Sequence, residues 1–117
     1  MAEGFADWAE VCAFACALPG VRMEPFYGMP APKVMGRAFL GEARAPDSFV
    51  LMLPLADKDV LLDTAPGIFW QTDHYRGWPA VLVRFGAGER AWLEQLIMRA
   101  WWDKAPVRLR KAHGPRP

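Results

Sequence analysis

A chain of 117 residues has the length of one domain and can bury a core without disulfides or structural metals. Hydrophobic residues make up 53% of the sequence and charged residues 23%, which excludes a disordered chain because enough apolar surface exists to offset the entropy lost on folding. The net charge of +1 is unevenly spread, since residues 104–117 carry five basic and no acidic residues, and the other nine basic and thirteen acidic residues give residues 1–103 a charge of −4.

The N-terminal segment FADWAEVCAFACALPG has apolar residues at helical spacing and predicts an amphipathic helix. We expect this helix to run from Ala6 to Leu18, because a Pro-Gly pair follows it. Its cysteines, Cys12 and Cys16, would share one face but seldom in disulfide geometry. A Cys-x3-Cys metal half-site would need a second ligand pair, which the sequence lacks. Two reduced thiols in the core are therefore expected.

The charge that precedes this apolar run bears on localisation. Acidic residues stand there without any Lys or Arg, which is opposite to the positive start of a secretory signal peptide. No apolar stretch is long enough to span a bilayer. The sequence therefore predicts a soluble cytoplasmic protein with no membrane contact.

Six short extended segments, separated by Gly and Pro, predict β-strands. Four of them, MEPFYG, PKVM, AFLGEA and SFVLMLP, precede a short helix in ADKDVLLDTAPG, and two, IFWQ and AVLVRF, follow it. In the last strand Val81, Val83 and Phe85 alternate with Leu82 and Arg84, which is typical of a sheet with one face buried more deeply than the other.

The segment GERAWLEQLIMRAWWDKAP has the clearest helical pattern in the chain and predicts a helix from Glu89 to Asp103. This order of elements predicts an α+β two-layer sandwich. Its antiparallel sheet of about five or six strands would carry the N- and C-terminal helices side by side on one face. Residues 1–106 would form the single domain, and residues 107–117 a mobile basic tail.

The segment TDHYRGWP concentrates polar and aromatic residues ahead of the last strand. A general base at His74 would need an orienting partner, but neighbours in an extended segment point to opposite faces, so Asp73 is poorly placed. We therefore expect a structural role for His74, Tyr75 and Trp78. Their rings would cover the edge of the sheet, and their polar tips would bond to the loop backbone.

No other residues form a catalytic set. His113 lies in the basic tail, Ser48 has no His partner, and the segment GAGE lacks the Lys and the Ser or Thr of a phosphate-binding loop. The sequence predicts a protein that is not an enzyme and uses no cofactor.

Four segments, ALPGV, FYGMPAPKVMGRAFL, TDHYRGWPAVLVRF and AWWDKAP, together resemble the MmcQ/YjbR family of small bacterial proteins. The similarity runs in order over roughly Trp8 to Leu109. It implies a frataxin-like fold, in which two terminal helices pack on one side of an antiparallel sheet, and a double-wing surface that binds DNA.

The candidate DNA contacts have two origins. The resemblance points to basic residues of the wing loops, namely Lys33, Arg37, Arg44 and Arg76. The charge asymmetry adds basic residues of the C-terminal segment, namely Lys104, Arg108, Arg110 and Lys111. We expect weak, sequence-nonspecific binding through phosphate contacts.

Two alternative functions stay open. A protein-interaction or homodimerisation module is suggested by Trp92 and Trp102, which fall outside the inward stripe of the last helix. A small-ligand or metal binder is suggested by the frataxin-like fold, because Glu3, Asp7 and Glu10 stand at helical spacing. A solvated helix face explains these acids more simply, so no metal site is predicted.

Overall fold

A computed structural model describes residues 3–117, which form four α-helices and seven β-strands. The helices are α1 (Trp8–Cys16), α2 (Leu55–Thr64), α3 (Arg90–Lys104) and α4 (Val107–His113). The strands are β1 (Val21–Phe26), β2 (Met29–Val34), β3 (Arg37–Ala38), β4 (Leu40–Glu42), β5 (Ser48–Met52), β6 (Phe69–Trp70) and β7 (Ala80–Arg84). A single 3-10 turn, Asp73–Tyr75, lies between β6 and β7. Within residues 3–117 no helix combines the length and the apolarity needed to cross a bilayer.

Helix α1 begins and ends at signals that are visible in the sequence. The Asp7 side chain accepts a hydrogen bond from the Glu10 N–H at 2.9 Å and caps the N-terminus. Beyond the C-terminus, Gly20 has a φ of +72°, a left-handed conformation that favours glycine. The bounds of α1 and α3 thus lie within two residues of those predicted.

The strands form two antiparallel sheets rather than the single sheet of five or six strands that the sequence predicted. One sheet has the order β1-β2-β3 and the other the order β4-β5-β7-β6. The chain passes from the first sheet to the second at Phe39, whose side chain is fully buried and whose carbonyl accepts a hydrogen bond from the Met52 N–H at 3.2 Å. The segment AFLGEA, predicted as one strand, is therefore divided between two sheets.

The main core lies between one face of the four-stranded sheet and the helices. Phe49 of β5 and Val83 of β7, which are paired in register, point to this face. They belong to the same buried cluster as Val11 of α1 and Trp101 of α3. The opposite face carries a smaller cluster around Leu82. The α+β class, the antiparallel pairing and the alternation along β7 are thus confirmed, and both predicted helices contribute to a single core.

The C-terminal segment is helical and packed, which corrects the prediction of a mobile tail. Leu109 of α4 packs on the main core, and its Cδ1 would lie 2.9 Å from a Cβ added to Gly20. Beyond α4, the Gly114 carbonyl accepts a hydrogen bond from the Trp102 indole N–H at 3.2 Å. Sequence periodicity missed this segment because a seven-residue helix can be held by a single apolar side chain.

Candidate functional site

The turn between β2 and β3 meets the junction between α3 and α4. The Arg37 guanidinium donates a hydrogen bond to the Lys104 carbonyl at 3.4 Å, and Arg108 Nη2 lies 3.8 Å from the sulfur of Met35. Lys111 follows Arg108 by three residues and shares its helical face. We call Arg37, Lys104, Arg108 and Lys111 the basic patch.

The charges of the basic patch are not neutralised locally. Within residues 3–117, none of its four side chains forms a salt bridge with a carboxylate. Arg37, Arg108 and Lys111 are exposed and Lys104 is half-buried. The structure thus brings the Arg37 guanidinium of the wing to the backbone of Lys104, 67 positions away, and near Arg108.

The other four predicted DNA contacts lie outside the basic patch. Arg76 forms an exposed ion pair with Asp73 at 3.0 Å, and the Lys33 ammonium lies 5.7 Å from the centre of the Phe26 ring. Arg44 is exposed in the loop between β4 and β5.

Arg110 has a structural role. It donates hydrogen bonds to the carbonyls of Trp102 and Asp103 at 2.9 and 2.8 Å, and its guanidinium lies 4.7 Å from the centre of the Trp102 ring. It therefore caps the C-terminal end of α3, where unpaired carbonyls favour a cation.

Arg116, the last basic residue, joins two helices. It bonds to both carboxylate oxygens of Asp103 at 2.7 and 2.8 Å, and to Asp57 of α2 at 3.2 Å. The hydrogen bond to Asp103, above all, raises the pKa of the Arg116 guanidinium. Arg110 and Arg116 thus fasten the C-terminal segment to the helices and are not available to a ligand in this conformation.

The loop 71–79 contains the motif TDHYRGWP. Asp73 pairs with Arg76 and not with His74. The exposed His74 ring packs edge to face on Tyr75 at 4.8 Å between ring centres. Tyr75 is half-buried against the smaller cluster, whereas Trp78 is 65% exposed. Only Tyr75 therefore covers the sheet in the way that the sequence predicted.

The loop 71–79 is held by Lys58, a residue that the sequence analysis missed. The Lys58 side chain is 2% exposed, and its ammonium donates hydrogen bonds to the carbonyls of Tyr75 and Trp78 at 2.6 and 2.8 Å. Burial lowers the pKa of Lys58. One signal could have identified it, because Lys58 precedes Leu61 and Leu62 at helical spacing and so lies on the apolar side of α2.

We expect Tyr75→Phe and His74→Ala each to change the free energy of unfolding by less than about 0.5 kcal/mol, because within residues 3–117 neither side chain makes a hydrogen bond. Tyr75→Ala should cost about 1 to 2 kcal/mol, since the ring packs on the smaller cluster. Thermal unfolding of the three variants measures these differences. A Tyr75→Phe variant as unstable as Tyr75→Ala would contradict this expectation, because it would show that the phenol hydroxyl, and not the ring, stabilises the folded chain.

The remaining candidates for chemistry are engaged in structural contacts. The Ser48 hydroxyl donates to Asp47 at 3.1 Å and accepts a hydrogen bond from the Trp70 indole at 2.9 Å. The His113 ring packs on Trp101 at 5.4 Å between centres.

The acidic face predicted for the first helix is not formed. Glu3 pairs with Glu89 in an isolated β-bridge outside α1, Asp7 is the N-cap, and Glu10 forms an ion pair with Arg90. Residues 3–117 contain no cluster of three or more His, Cys, Asp or Glu side chains that could hold a metal ion.

The two cysteines are free thiols, as the sequence predicted, but they are not core residues. Cys12 is half-buried and Cys16 is exposed. Burial, together with the nearby Cys16 and Glu42, raises the pKa of Cys12 to about 11. Cys12 is therefore a protonated, weakly nucleophilic thiol at neutral pH.

The two tryptophans suggested as an interaction surface have different environments. Trp102 is half-buried beneath Arg110 and bonded to Gly114. Trp92 is 38% exposed and packs edge to face on Phe69 at 5.4 Å between ring centres. Only Trp92 therefore remains on an accessible surface.

The fold and the basic patch define a small α+β domain with a localised cationic surface. Comparison with known proteins finds no matching family model and no matching solved structure. Among curated proteins, the chain is similar to "Uncharacterized protein Mb2600" of Mycobacterium bovis and "Uncharacterized protein Rv2570" of Mycobacterium tuberculosis. Each is 44% identical over 55 residues, which is 47% of this chain and 43% of the relative. The match thus spans less than half of either chain.

Proposed function

We propose that the chain binds nucleic acid weakly and without sequence specificity, through contacts between the basic patch and backbone phosphates. The observation that carries this proposal is the contact of Arg37 with the Lys104 carbonyl, because it joins a turn of the three-stranded sheet to the C-terminal helices. The basic patch carries four cations that have no carboxylate partner in residues 3–117. Such a surface attracts a polyanion by counterion release.

The amino-acid composition argues against base-specific recognition of nucleic acid. The sequence contains no Asn and two Gln, Gln71 and Gln95, whereas readout of adenine in the major groove uses those side chains. Helix α4 has seven residues and contains neither Asn nor Gln. Phosphate contacts position a protein on a duplex but carry little sequence information, so affinity should vary little among sequences.

The proposal includes membership of the MmcQ/YjbR type with a frataxin-like arrangement. It is supported by the four motifs of the sequence and by the packing of α1 and α3 in one core. The strands of this chain are divided between two sheets, whereas the frataxin-like arrangement described above has a single antiparallel sheet.

We expect the triple variant Arg37→Gln, Arg108→Gln, Lys111→Gln to lose most of its affinity for a labelled duplex at low salt. Because each phosphate contact contributes about 0.9 to the slope of log affinity against log salt, the slope should become shallower by about 2.7. Fluorescence anisotropy with two unrelated duplexes at several salt concentrations measures the slope and the sequence dependence.

A matched control removes three positive charges outside the basic patch, in the variant Lys33→Gln, Arg44→Gln, Arg76→Gln. Its net charge equals that of the first variant, so a nonlocal effect of charge would weaken both equally. Equal losses, or no binding by the unmodified chain at low salt, would reject the basic patch as a phosphate-binding surface.

A further inference from the structure

The turn between β1 and β2 presents an exposed aromatic ring. Tyr27 and Gly28 form this two-residue turn, and Tyr27 is 92% exposed. Both residues have a positive φ, of 52° and 82°. Such turns favour Asn, Asp or Gly, because a large side chain is strained in the left-handed conformation. The turn itself therefore gives no reason for an aromatic residue at this position.

The Tyr27 ring is held in place although it is open to solvent. Its centre lies 4.7 Å from the centre of the Phe26 ring, with an angle of 62° between the two planes. Phe26 is half-buried and lies over β4, since a Cβ added to Gly41 would be 3.6 Å from its Cε2. A ring that is fixed in advance loses little conformational entropy when a flat ligand stacks on it.

Two cations lie on the same face of the hairpin as Phe26. Arg22 pairs with Lys33 and Phe26 pairs with Met29, and the two-residue alternation along a strand puts both pairs on one face. The Lys33 ammonium lies 5.7 Å from the centre of the Phe26 ring. Within residues 3–117 neither Arg22 nor Lys33 forms a salt bridge, and Glu24, the one acid on this face of β1, forms none either. Two cations and one anion leave this face with a net positive charge.

We infer that Tyr27 stacks on an unpaired nucleobase, so that the nucleic acid bound by this chain is single-stranded. The inference rests on the proposed function, because the basic patch supplies the phosphate contacts. An unpaired base offers a flat face to the ring while its phosphate meets Lys33 or Arg22. Every base has such a face, so stacking of this kind tolerates any sequence. A duplex covers these faces with neighbouring base pairs and is left with phosphate contacts only.

The distance between Tyr27 and the basic patch fits an oligonucleotide of several residues. Strand β2 separates the turn at Tyr27 from the turn at Met35 and Gly36, which leads to Arg37 of the basic patch. This strand has six residues and is about 20 Å long. Single-stranded nucleic acid commonly occupies such a protein surface over about 4 to 16 nucleotides.

Fluorescence anisotropy with two labelled probes tests the inference. One probe is an oligothymidine of about 12 nucleotides, and the other is an abasic oligonucleotide of the same length, which has the same phosphates but no bases. We expect the unmodified chain at low salt to bind the oligothymidine about 5- to 150-fold more tightly than the abasic probe, which is the effect of one stacked base.

Three variants locate the stacking. Tyr27→Asn removes the ring and suits the positive φ, so it should abolish the preference for oligothymidine without lowering the melting temperature. Tyr27→Phe keeps the ring and should keep the preference. Trp78→Gln removes an exposed ring outside the hairpin and should also keep it. Binding of the abasic probe and of a duplex should be the same in all three variants.

The outcomes separate this inference from the proposed function. Equal affinity for the two probes, or a preference that persists in Tyr27→Asn, would overturn the stacking. Because duplex binding depends on the basic patch and not on Tyr27, the salt dependence predicted for the duplex would then still stand. Absence of binding to every probe at low salt would reject both proposals.

Discussion

Removal of residues 107–117 is expected to lower the free energy of unfolding by about 3 kcal/mol or more, since it removes a half-buried apolar side chain and several hydrogen bonds to charged groups. Leu109 would leave the main core, and the two α3 carbonyls bonded to Arg110 would lose their cap. The bridge of Arg116 to Asp57 and Asp103 would also be lost. The entropy regained by the freed residues offsets part of this loss.

Urea denaturation followed by tryptophan fluorescence measures this change. The double variant Arg108→Gln, Lys111→Gln is the matched control, because it alters the same helix at exposed side chains that form no salt bridge in residues 3–117. We expect its midpoint to stay within experimental error of the unmodified chain. A truncated chain with an unchanged midpoint would show that α4 contributes nothing to stability. Since truncation should destabilise the fold, point variants are the cleaner test of phosphate binding.

Lys58→Ala is expected to have the second large effect, a loss of about 3 kcal/mol in the free energy of unfolding. The change leaves the carbonyls of Tyr75 and Trp78 without their donor and removes a side chain that fills a buried position. Lys58→Met keeps most of the volume and isolates the lost hydrogen bonds, so it should cost less. Chemical denaturation of both variants, with Asp59→Asn as an exposed neighbour for control, measures the two contributions.

The stability supplied by Lys58 should also depend on pH. Burial lowers the pKa of Lys58 in the folded chain below its ordinary value of 10.5. Between these two pKa values the unfolded chain binds more protons, so the free energy of unfolding rises with pH. The unmodified chain should therefore gain stability relative to Lys58→Met as the pH is raised toward 10.5. A constant difference across that range would mean that the ammonium is not desolvated.

The elements predicted from periodicity were those held by many apolar side chains. Helices α1 and α3 and strand β7 repeat apolar residues over a full face, so local pattern and final packing agree. The break at Phe39 could not be predicted, because the sequence pattern of AFLGEA is that of one strand. In the structure its first part pairs with β2 and its second part with β5. Helix α4 escaped prediction since Leu109 is its main contact with the core.

The candidate site was predicted in its parts but not as a whole. Basic residues in the wing turn and in the C-terminal segment were identified as charges, and only the tertiary contact of Arg37 with the Lys104 carbonyl shows that the two segments are adjacent. A count of charges could not distinguish the role of Arg108 from that of Arg110, because both are cations on the same short helix. Arg110 is used internally because its side chain reaches the end of α3.

The pairing of β5 with β7 bears on the order in which the chain folds. The hairpin of β1 and β2 closes through Tyr27 and Gly28, both with positive φ, and needs only local contacts. Phe49 of β5, by contrast, pairs with Val83 of β7, and α2 and the loop 71–79 lie between them in the sequence. These central strands of the larger sheet can pair only after the intervening chain has folded back, which costs loop-closure entropy. Non-local pairing of this kind is slow. Formation of this strand pair, and not of the hairpin, is therefore expected to limit the folding rate.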